Sequence, residues 1–249
     1  MSTDLSASGT HVVVCSACGL ASRCLSLPKT MNGFLGVSIL HRYFARDTME
    51  SFFRWGTATF RRFVILLMDD PDQFNFMVFR DLPAEAALAK ASRVSDDRKR
   101  GYEKSLRKLG VDNIHVLQFR DFVHDAEYQR VLGNVQAETE RNPRFRESLE
   151  ELVERWVGGK IRECAQLNSW SADEMRRNVA ILFNYIVQEF AAIIYFTENG
   201  HPVEVDPTQE FRTKTELYGG HYPNLAKSLG ITERGHIFAH PAGRIKAPD

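Results

Sequence analysis

The chain has 249 residues, of which 43% are hydrophobic and 26% are charged. This size and composition are typical of one globular domain, so we predict a flexible tail over residues 1–10 and a single domain over residues 11–249. Lysine plus arginine and aspartate plus glutamate number 32 each, so any binding of nucleic acid must depend on local charge. The sequence shows no leader followed by a cleavage site, and we expect a cytoplasmic protein without a membrane partner.

Short apolar runs alternate with helical patterns along the chain. This alternation predicts a parallel sheet covered by helices on both faces, and therefore an α/β fold with three layers in the order α/β/α. Sheets of this kind bind ligands at the carboxyl ends of their strands. Strands are predicted at residues 12–15, 33–40, 63–68, 115–119 and 236–239, and helices at residues 48–60, 83–109, 125–138, 143–163 and 171–197, with a break near residue 95 left open and an irregular segment after residue 197.

Glu189 lies inside the most apolar stretch of the chain, residues 180–196. Burying a lone carboxylate costs free energy, so this side chain must be paired inside the protein or must bind something. Ser171 and Glu174 have the spacing of a capping box, which predicts one long, almost wholly buried helix. Tyr185 precedes Glu189 by four residues and shares its helix face, so the two can hold an ammonium group or relay a proton. A structural hydrogen bond from Glu189 to another helix explains the segment equally well.

Ser38 is predicted near the carboxyl end of the second strand. A serine in that place can act as an exposed nucleophile, and Gly36 leaves room for a substrate to approach the backbone. The signal is weak by itself, because serines end many strands. The pattern also differs from the Gly-x-Ser-x-Gly elbow of the α/β-hydrolases.

Basic residues recur along the helix predicted at residues 83–109. Residues 90–108 contain eight basic and three acidic side chains, a local charge of +5 in a neutral chain. Such a surface suits a phosphate backbone, which it would bind by charge and not by base reading. A solvated charged face is the alternative. This basic stripe consists of Lys90, Arg93, Arg98, Lys99, Arg100, Lys104, Arg107 and Lys108.

Cys15 and Cys18 have the spacing of a metal or redox pair, but no second pair follows in the sequence. Cys24 and His11 are poorly spaced for a zinc knuckle. Because Cys15 ends an apolar run, we expect buried or half-buried thiols at a strand end, and we predict no metal site.

The motif Gly36-Val-Ser38, the pair Tyr43-Phe44 and the segment 184–189 together resemble the cyclodipeptide synthases. The order and spacing of these pieces over residues 33–197 carry the resemblance. It implies a Rossmann-like domain, similar to the catalytic domain of class I tyrosyl- and tryptophanyl-tRNA synthetases. The implied activity joins the amino acids of two aminoacyl-tRNAs into a 2,5-diketopiperazine through an aminoacyl group held on a serine. It also implies no cofactor and no ATP, because the ester bond to tRNA is already activated.

The resemblance implies a role for several residues. Ser38 matches the acyl-accepting nucleophile of the family, and Tyr185 and Glu189 match the pair that holds the substrate amino group. Tyr128 matches a tyrosine that faces the site, although a packing role at a helix start is nearly as well supported. The family also places its tRNA-binding basic helix where the basic stripe lies, so aminoacyl-tRNA is the expected partner and DNA is not.

Two branches of the family differ at the residue three after the nucleophile and at a second catalytic tyrosine. His41 and Tyr222-Pro223 resemble the branch with Tyr-Pro. The separation of 33 residues between Glu189 and Tyr222 is longer than the family pattern, so Tyr218 remains an alternative for that role.

Three aspartates, Asp69, Asp70 and Asp72, follow the third strand at the predicted binding edge. An acidic pocket wall favours a cationic side chain, so an arginine-containing product is one hypothesis. Ordinary turn chemistry in Asp-Asp-Pro-Asp is the simpler explanation.

Two other functions remain open on sequence alone. A synthetase-like or dinucleotide-binding enzyme is disfavoured, because the first strand is followed by no Gly-x-Gly-x-x-Gly and the chain has no Walker loop. A non-catalytic RNA-binding module could use the same basic stripe. The sequence leaves the oligomeric state open, and a monomer is favoured.

Overall fold

The structure is a computed structural model that describes residues 11–163, 170–207, 212–218, 220–228 and 234–242. Within these ranges, the side chains of residues 161–163, 212, 215, 218 and 228 are not described. The flexible tail predicted at residues 1–10 lies outside the described residues.

Strands and helices alternate along most of the chain. The strands are β1 (Val12–Gly19), β2 (Gly33–Val37), β3 (Phe63–Leu67), β4 (Ile114–Gln118), β5 (Val203–Asp206) and β6 (Gly235–Pro241). The helices are α1 (Leu20–Ser26), α2 (Arg46–Thr59), α3 (Asp69–Arg80), α4 (Ala84–Leu109), α5 (Ala126–Arg141), α6 (Pro143–Glu163), α7 (Ala172–Glu198), α8 (Arg212–Tyr218) and α9 (Pro223–Ser228).

The strands form one six-stranded sheet in the order β1-β6-β5-β2-β3-β4. β1 runs antiparallel to β6, and every other pair of neighbours is parallel. The whole of β3 is buried, as expected for a continuous apolar run with helices over both faces. The predicted three-layer α/β fold with a mostly parallel sheet is confirmed.

Alternate residues of the central strands supply two separate cores. Phe34 and Val64 pack with side chains of α5, α6 and α7 on one face of the sheet. Leu35 and Ile65 pack with side chains of α2 and α4 on the other face. The period of two in strand side chains therefore divides the sequence between the two layers.

The segment after β3 differs from the prediction. Asp-Asp-Pro-Asp was expected to stop the strand in a turn, but it forms the first turn of α3. Carboxylates are favoured there because the first backbone N–H groups of a helix carry partial positive charge. Proline is tolerated because its missing N–H has no acceptor within the first turn.

Other boundaries also differ. β2 ends at Val37, so Ser38 lies just beyond the strand, and α4 continues without a break through Ser95. β5 was not predicted at all, because it has only four residues and two of them are acidic. Cys15 and Cys18 are exposed on the edge strand β1, which corrects the expectation of buried or half-buried thiols.

Helix α7 is long and apolar enough to cross a membrane by length and composition alone. A core helix passes the same test, and 56% of the apolar window of α7 is buried inside the protein. Its first half is less buried than predicted, with Ala180 and Asn184 exposed, whereas most residues from Tyr185 to Phe196 are buried. The capping box of Ser171 and Glu174 is confirmed.

Candidate active site

Three predicted residues meet where β2 ends below α7. Ser38 follows the last residue of β2 and is half-buried. Tyr185 and Glu189 lie on the face of α7 that covers this edge, with the Tyr185 side chain only 5% exposed. The Ser38 hydroxyl hydrogen-bonds with the Tyr185 side chain, and the charge of Glu189 acts on the same phenol. The three side chains are therefore neighbours.

The Ser38 hydroxyl has a carboxylate partner that the sequence analysis left without a catalytic role. Ser38 Oγ donates to Asp72 Oδ1 at 3.1 Å, with Oδ2 at 3.2 Å. Asp72 lies in the first turn of α3 and is completely buried. It also accepts hydrogen bonds from the Ile39 backbone N–H at 2.6 Å and from Asn75 Nδ2 at 2.5 Å.

The two acidic groups of the site have raised pKa values. Burial raises the pKa of Asp72 to about 7, against the opposing effect of its hydrogen bonds and of Arg98. Burial also raises the pKa of Glu189 to about 7, with further upward contributions from Asp206, Glu204 and Asp72 and a downward one from Lys214. Both carboxyl groups can therefore gain or lose a proton near neutral pH.

Tyr185 remains a neutral phenol over the physiological range. Burial, followed by the charges of Glu189 and Asp72, raises its pKa well above the ordinary value of 10. The indole ring of Trp156 lies against it, with ring centroids 5.2 Å apart. Packing from α6 thus fixes the orientation of the phenol beside Ser38.

A buried ion triad lies beside Glu189. Lys214 of α8 pairs with Asp206 at 3.1 Å and with Glu204, and all three side chains are less than one-tenth exposed. β5 pairs with β2 so that Glu204 lies opposite Phe34, and the next side chain on the same face, Asp206, lies beside Gly36. The only sequence signal for this triad is the alternation of acids in Val-Glu-Val-Asp, which is hidden while β5 is unrecognised.

Gly36 borders open space. A Cβ atom built on this residue would meet nothing within 4 Å, whereas one built on Gly33 would lie 2.5 Å from the Phe60 ring. Gly36 therefore leaves a space above β2, close to Ser38 and Asp206, that a small acyl group can enter.

The cyclodipeptide synthase family model matches residues 19–193 of the chain. The chain belongs to the cyclodipeptide synthase family. It is therefore an enzyme that forms cyclodipeptides, and the active-site geometry can be interpreted within that family.

Solved synthases share the fold at low sequence identity. A synthase from Bacillus thermoamylovorans has a TM-score of 0.74 and 17% identity, covering 92% of this chain and 96% of that one. A Mycobacterium tuberculosis synthase described as related to type I tRNA synthetases has a TM-score of 0.65 and 14% identity, covering 94% and 96%. A synthase from Candidatus Glomeribacter gigasporarum bound to Phe-tRNAPhe has a TM-score of 0.63 and 16% identity, covering 90% and 94%. No curated protein matches the chain.

The second tyrosine of the synthase remains a prediction. Tyr222 is completely buried and donates to Glu216 and to Ser148 Oγ, the latter at 3.2 Å. Its ring packs against Phe145 with centroids 5.0 Å apart. None of the described hydrogen bonds or ring contacts joins Tyr222 to Ser38, Tyr185 or Glu189. The Tyr218 side chain lies outside the described residues.

Tyr128 packs where the synthase core meets α7. It is completely buried, and its ring touches those of Phe119, Phe122 and Tyr195. Its hydroxyl donates to the Gln188 backbone oxygen at 3.4 Å. These contacts support the packing role of Tyr128. The acceptor residue, Gln188, directly precedes Glu189 in the sequence.

His41 lies in the loop after Ser38 and is exposed. Its Nδ1 accepts a hydrogen bond from the Tyr43 backbone N–H at 3.1 Å and so caps a short 3-10 helix, Arg42–Phe44. Arg98 of α4 donates to the Phe44 backbone oxygen at 3.0 Å. The Arg98 contact fixes the loop next to the nucleophile from the opposite layer.

The two remaining predicted acids have different surroundings. Asp69 is completely buried, accepts a hydrogen bond from the Phe119 backbone N–H at 2.7 Å and lies 3.5 Å from Arg120. These contacts account for the burial of Asp69, and its place in a substrate-facing wall stays a prediction. Asp70 is half-buried, and its charge helps to raise the pKa of Tyr128 after the larger effect of burial. Asp70 therefore stays close to the site.

The basic stripe divides into exposed and internally bound residues. Arg98 donates to backbone oxygens of the loop after Ser38, and Lys99 lies 3.7 Å from Asp121. Arg100 pairs with Asp97 on the surface of α4. The residues of the stripe that are exposed are Lys90, Arg93, Arg100, Lys104, Arg107 and Lys108.

Proposed function

We propose that this synthase joins two amino acids by ping-pong acyl transfer, with Ser38 as the acyl acceptor. The observation that carries the proposal is the meeting of Ser38, Tyr185 and Glu189 beside the open space at Gly36. In the first half-reaction, Ser38 Oγ attacks the aminoacyl ester, and tRNA leaves with its terminal hydroxyl restored. The aminoacyl group remains as an ester on Ser38.

Tyr185 and Glu189 hold the amino group of that ester. An ammonium beside Glu189 favours the carboxylate form, so substrate binding lowers the raised pKa of this group. When the pH is near the pKa of Glu189, its carboxylate can also take a proton from the amine of the second substrate. That amine attacks the seryl ester, the acyl–Oγ bond breaks, and Ser38 Oγ regains the proton that the amine gave up. The dipeptidyl-tRNA then cyclises with release of the second tRNA.

The cyclisation step is assigned to a second tyrosine, Tyr222 or Tyr218. The proposal that the enzyme belongs to the Tyr-Pro branch of the family is supported by Tyr222-Pro223 and by His41, three residues after the nucleophile. In this structure the Tyr222 hydroxyl donates hydrogen bonds toward Ser148 and Glu216.

Aminoacyl-tRNA is the proposed partner. A relative from Candidatus Glomeribacter gigasporarum was solved with Phe-tRNAPhe, and the exposed side of α4 carries the charge that a phosphate backbone requires. The tRNA ester supplies the activation, so we propose that the enzyme works without ATP or another cofactor. We place the reaction in the cytoplasm, where charged tRNA is available, and assign the enzyme as a monomer.

An arginine substrate remains part of the proposal. The acids that support it are Asp69 and Asp70 in the first turn of α3, together with Glu204 and Asp206 of β5. A guanidinium group forms bidentate hydrogen bonds with carboxylates, so acids at the site favour an arginine side chain. Expression in bacteria and mass spectrometry of the medium would identify the product, and an unchanged product spectrum in Asp70→Asn and Asp206→Asn would argue against arginine.

The seryl intermediate has a direct test. Purified enzyme is mixed with total bacterial tRNA charged with labelled amino acids, and acid-precipitable label on the protein is counted. We expect label on wild type and none on Ser38→Ala. Normal labelling of Ser38→Ala would contradict the assignment, tRNA binding without any diketopiperazine would indicate an RNA-binding module, and dependence on ATP would indicate synthetase chemistry.

A further inference from the structure

Asp72 carries a feature that packing does not require. Its carboxylate accepts from the Ile39 backbone N–H and from Asn75, which together tie α3 to the loop after β2. The Ser38 hydroxyl is a third donor to the same carboxylate. A structural tie needs only the first two bonds, whereas the third connects a completely buried acid to the oxygen that must become a nucleophile.

We propose that Asp72 is the general base that accepts the Ser38 proton during formation of the aminoacyl-enzyme. This role rests on the proposed function of Ser38 and adds a residue to it. The bond from Ser38 Oγ to the acyl carbon forms while the Oγ proton moves to the Asp72 carboxylate. The ester bond to the ribose then breaks, and the departing ribose oxygen takes that proton, so Asp72 is again a carboxylate at the end.

The surroundings of Asp72 support this chemistry. Ser38 and Ile39 approach it from the end of β2, Asn75 from its own helix, and the charge of Arg98 acts on it from α4. On the side of α7, the charge of Asp72 helps to raise the pKa values of Tyr185 and Glu189. Because the pKa of Asp72 is raised to about 7, its carboxylate is a stronger base than an ordinary aspartate and is still substantially ionised at neutral pH.

Asn75 holds the base in place without taking its proton. Its amide Nδ2 donates to Oδ1 of Asp72, while the Ile39 backbone N–H donates to Oδ2. Both oxygens of the carboxylate are thereby fixed, and the Ser38 hydroxyl lies within 3.2 Å of each. The proton therefore has a short and preoriented path from Ser38 to Asp72.

The test is a single-turnover measurement of label transfer from charged total tRNA to the protein. The rate constant and the half-saturating enzyme concentration are determined from about pH 5.5 to 8. We expect the wild-type rate constant to rise with pH through about 7, as the carboxylate of Asp72 forms. We expect Asp72→Asn to lower the rate constant by about 10²-fold to 10⁴-fold and to leave half-saturation near the wild-type value. Its pH profile should show one ionisation in place of the two that Asp72 and Glu189 give in wild type.

Asp81→Asn is the matched control, because Asp81 ends the same helix, is exposed and makes no described contact with Ser38. It should transfer label at the wild-type rate. A wild-type rate in Asp72→Asn, or a lower rate with an unchanged pH profile, would overturn the role of Asp72 as a base. Ser38→Ala distinguishes failure of the Asp72 role from failure of the Ser38 role, because label on Ser38→Ala would contradict the seryl intermediate itself.

A second pair of variants tests the proposal even if Asp72→Asn does not fold. A thiol ionises more readily than a hydroxyl, so Ser38→Cys needs less help from a base. We expect Asn75→Ala, which removes a hydrogen bond to Asp72, to slow label transfer by about tenfold with Ser38 present and by little in the Ser38→Cys background. Equal slowing in both backgrounds would contradict the proposal.

Discussion

Glu189 belongs to a group of acids whose charges are coupled. Its pKa is raised by burial and by three other carboxyl groups, and Lys214 acts in the opposite direction. In the absence of substrate, ionising Glu189 therefore costs free energy that an incoming ammonium group returns. This residue is better suited to binding a cation than to holding two helices together.

We expect Glu189→Gln to lower diketopiperazine formation by about 10²-fold or more, because glutamine offers the ammonium no charge and accepts no proton. The folded pKa of about 7 exceeds the ordinary value of 4.5, so ionisation of Glu189 destabilises the fold increasingly as pH rises through that interval. Glutamine lacks this cost, and the variant should equal or exceed wild type in stability at about pH 8. Product yield and thermal unfolding measure the two effects, and a loss of stability without loss of product would indicate a structural glutamate.

Gly36 gives a second test at the level of one residue. Because a Cβ atom there meets nothing within 4 Å, Gly36→Val should fold normally and fill the space beside Ser38. We expect label transfer to fall by at least about tenfold with unchanged thermal stability. Gly33→Ala is the contrasting variant, since its Cβ atom would lie 2.5 Å from the Phe60 ring and should lower the melting temperature.

At the scale of elements, β5 and α8 form one electrostatic unit. Lys214 bonds to Glu204 and Asp206, so Lys214→Met removes a bonded cation from two buried carboxylates. We expect the free energy of unfolding to fall by about 3–5 kcal/mol. Urea unfolding at about neutral pH measures the change, and the loss should be smaller in acid, where the carboxylates can be protonated.

The control for that prediction is the triple variant Lys214→Met, Glu204→Gln, Asp206→Asn. It removes the three charges together and should recover much of the stability, because no buried charge is left unpaired. A triple variant as unstable as Lys214→Met alone would show that the lysine contributes by packing.

Helix α4 combines a structural side and an exposed basic side. We expect Arg93→Glu with Lys104→Glu to weaken tRNA binding and to lower the slope of log affinity against log salt concentration by about 0.7 to 0.9 for each phosphate that the variant no longer neutralises. Fluorescence titration with tRNA measures both quantities. Lys227→Glu on α9 provides a charge reversal away from α4, and an equal loss of affinity in that variant would argue against a specific role for the basic stripe.

At the scale of the whole molecule, the sheet and its long helices were predictable because apolar runs and helix caps mark them. α3 was missed because Asp-Asp-Pro-Asp suits a turn and a first helical turn equally well. β5 was missed because its burial depends on Lys214, which lies beyond the strand in sequence and neutralises its acids. The alternation of acids in Val-Glu-Val-Asp does not by itself identify the lysine that pairs with them.

The candidate site was predictable to a similar degree. Tyr185 and Glu189 lie on a helix with a clear pattern, Ser38 follows a clear strand, and the family resemblance implies their roles. Asp72 could not be singled out, because only the packing of α3 against the end of β2 brings it to Ser38. The surroundings of Tyr222 depend on contacts among α6, α8 and α9 that no sequence pattern specifies.

The acids around Ser38 and the exposed basic side of α4 are two different electrostatic surroundings for the proposed tRNA substrate. An aminoacyl-tRNA carries a cation at the end of a long polyanion, and the charges of Asp72, Glu204 and Asp206 act on Glu189, the proposed partner of that cation. In the proposed reaction, the tRNA that has passed its aminoacyl group to Ser38 keeps its phosphates and no longer carries the ammonium. We therefore expect its end to gain nothing from the acidic interior, so that discharged tRNA binds less tightly than charged tRNA and turnover continues while discharged tRNA accumulates.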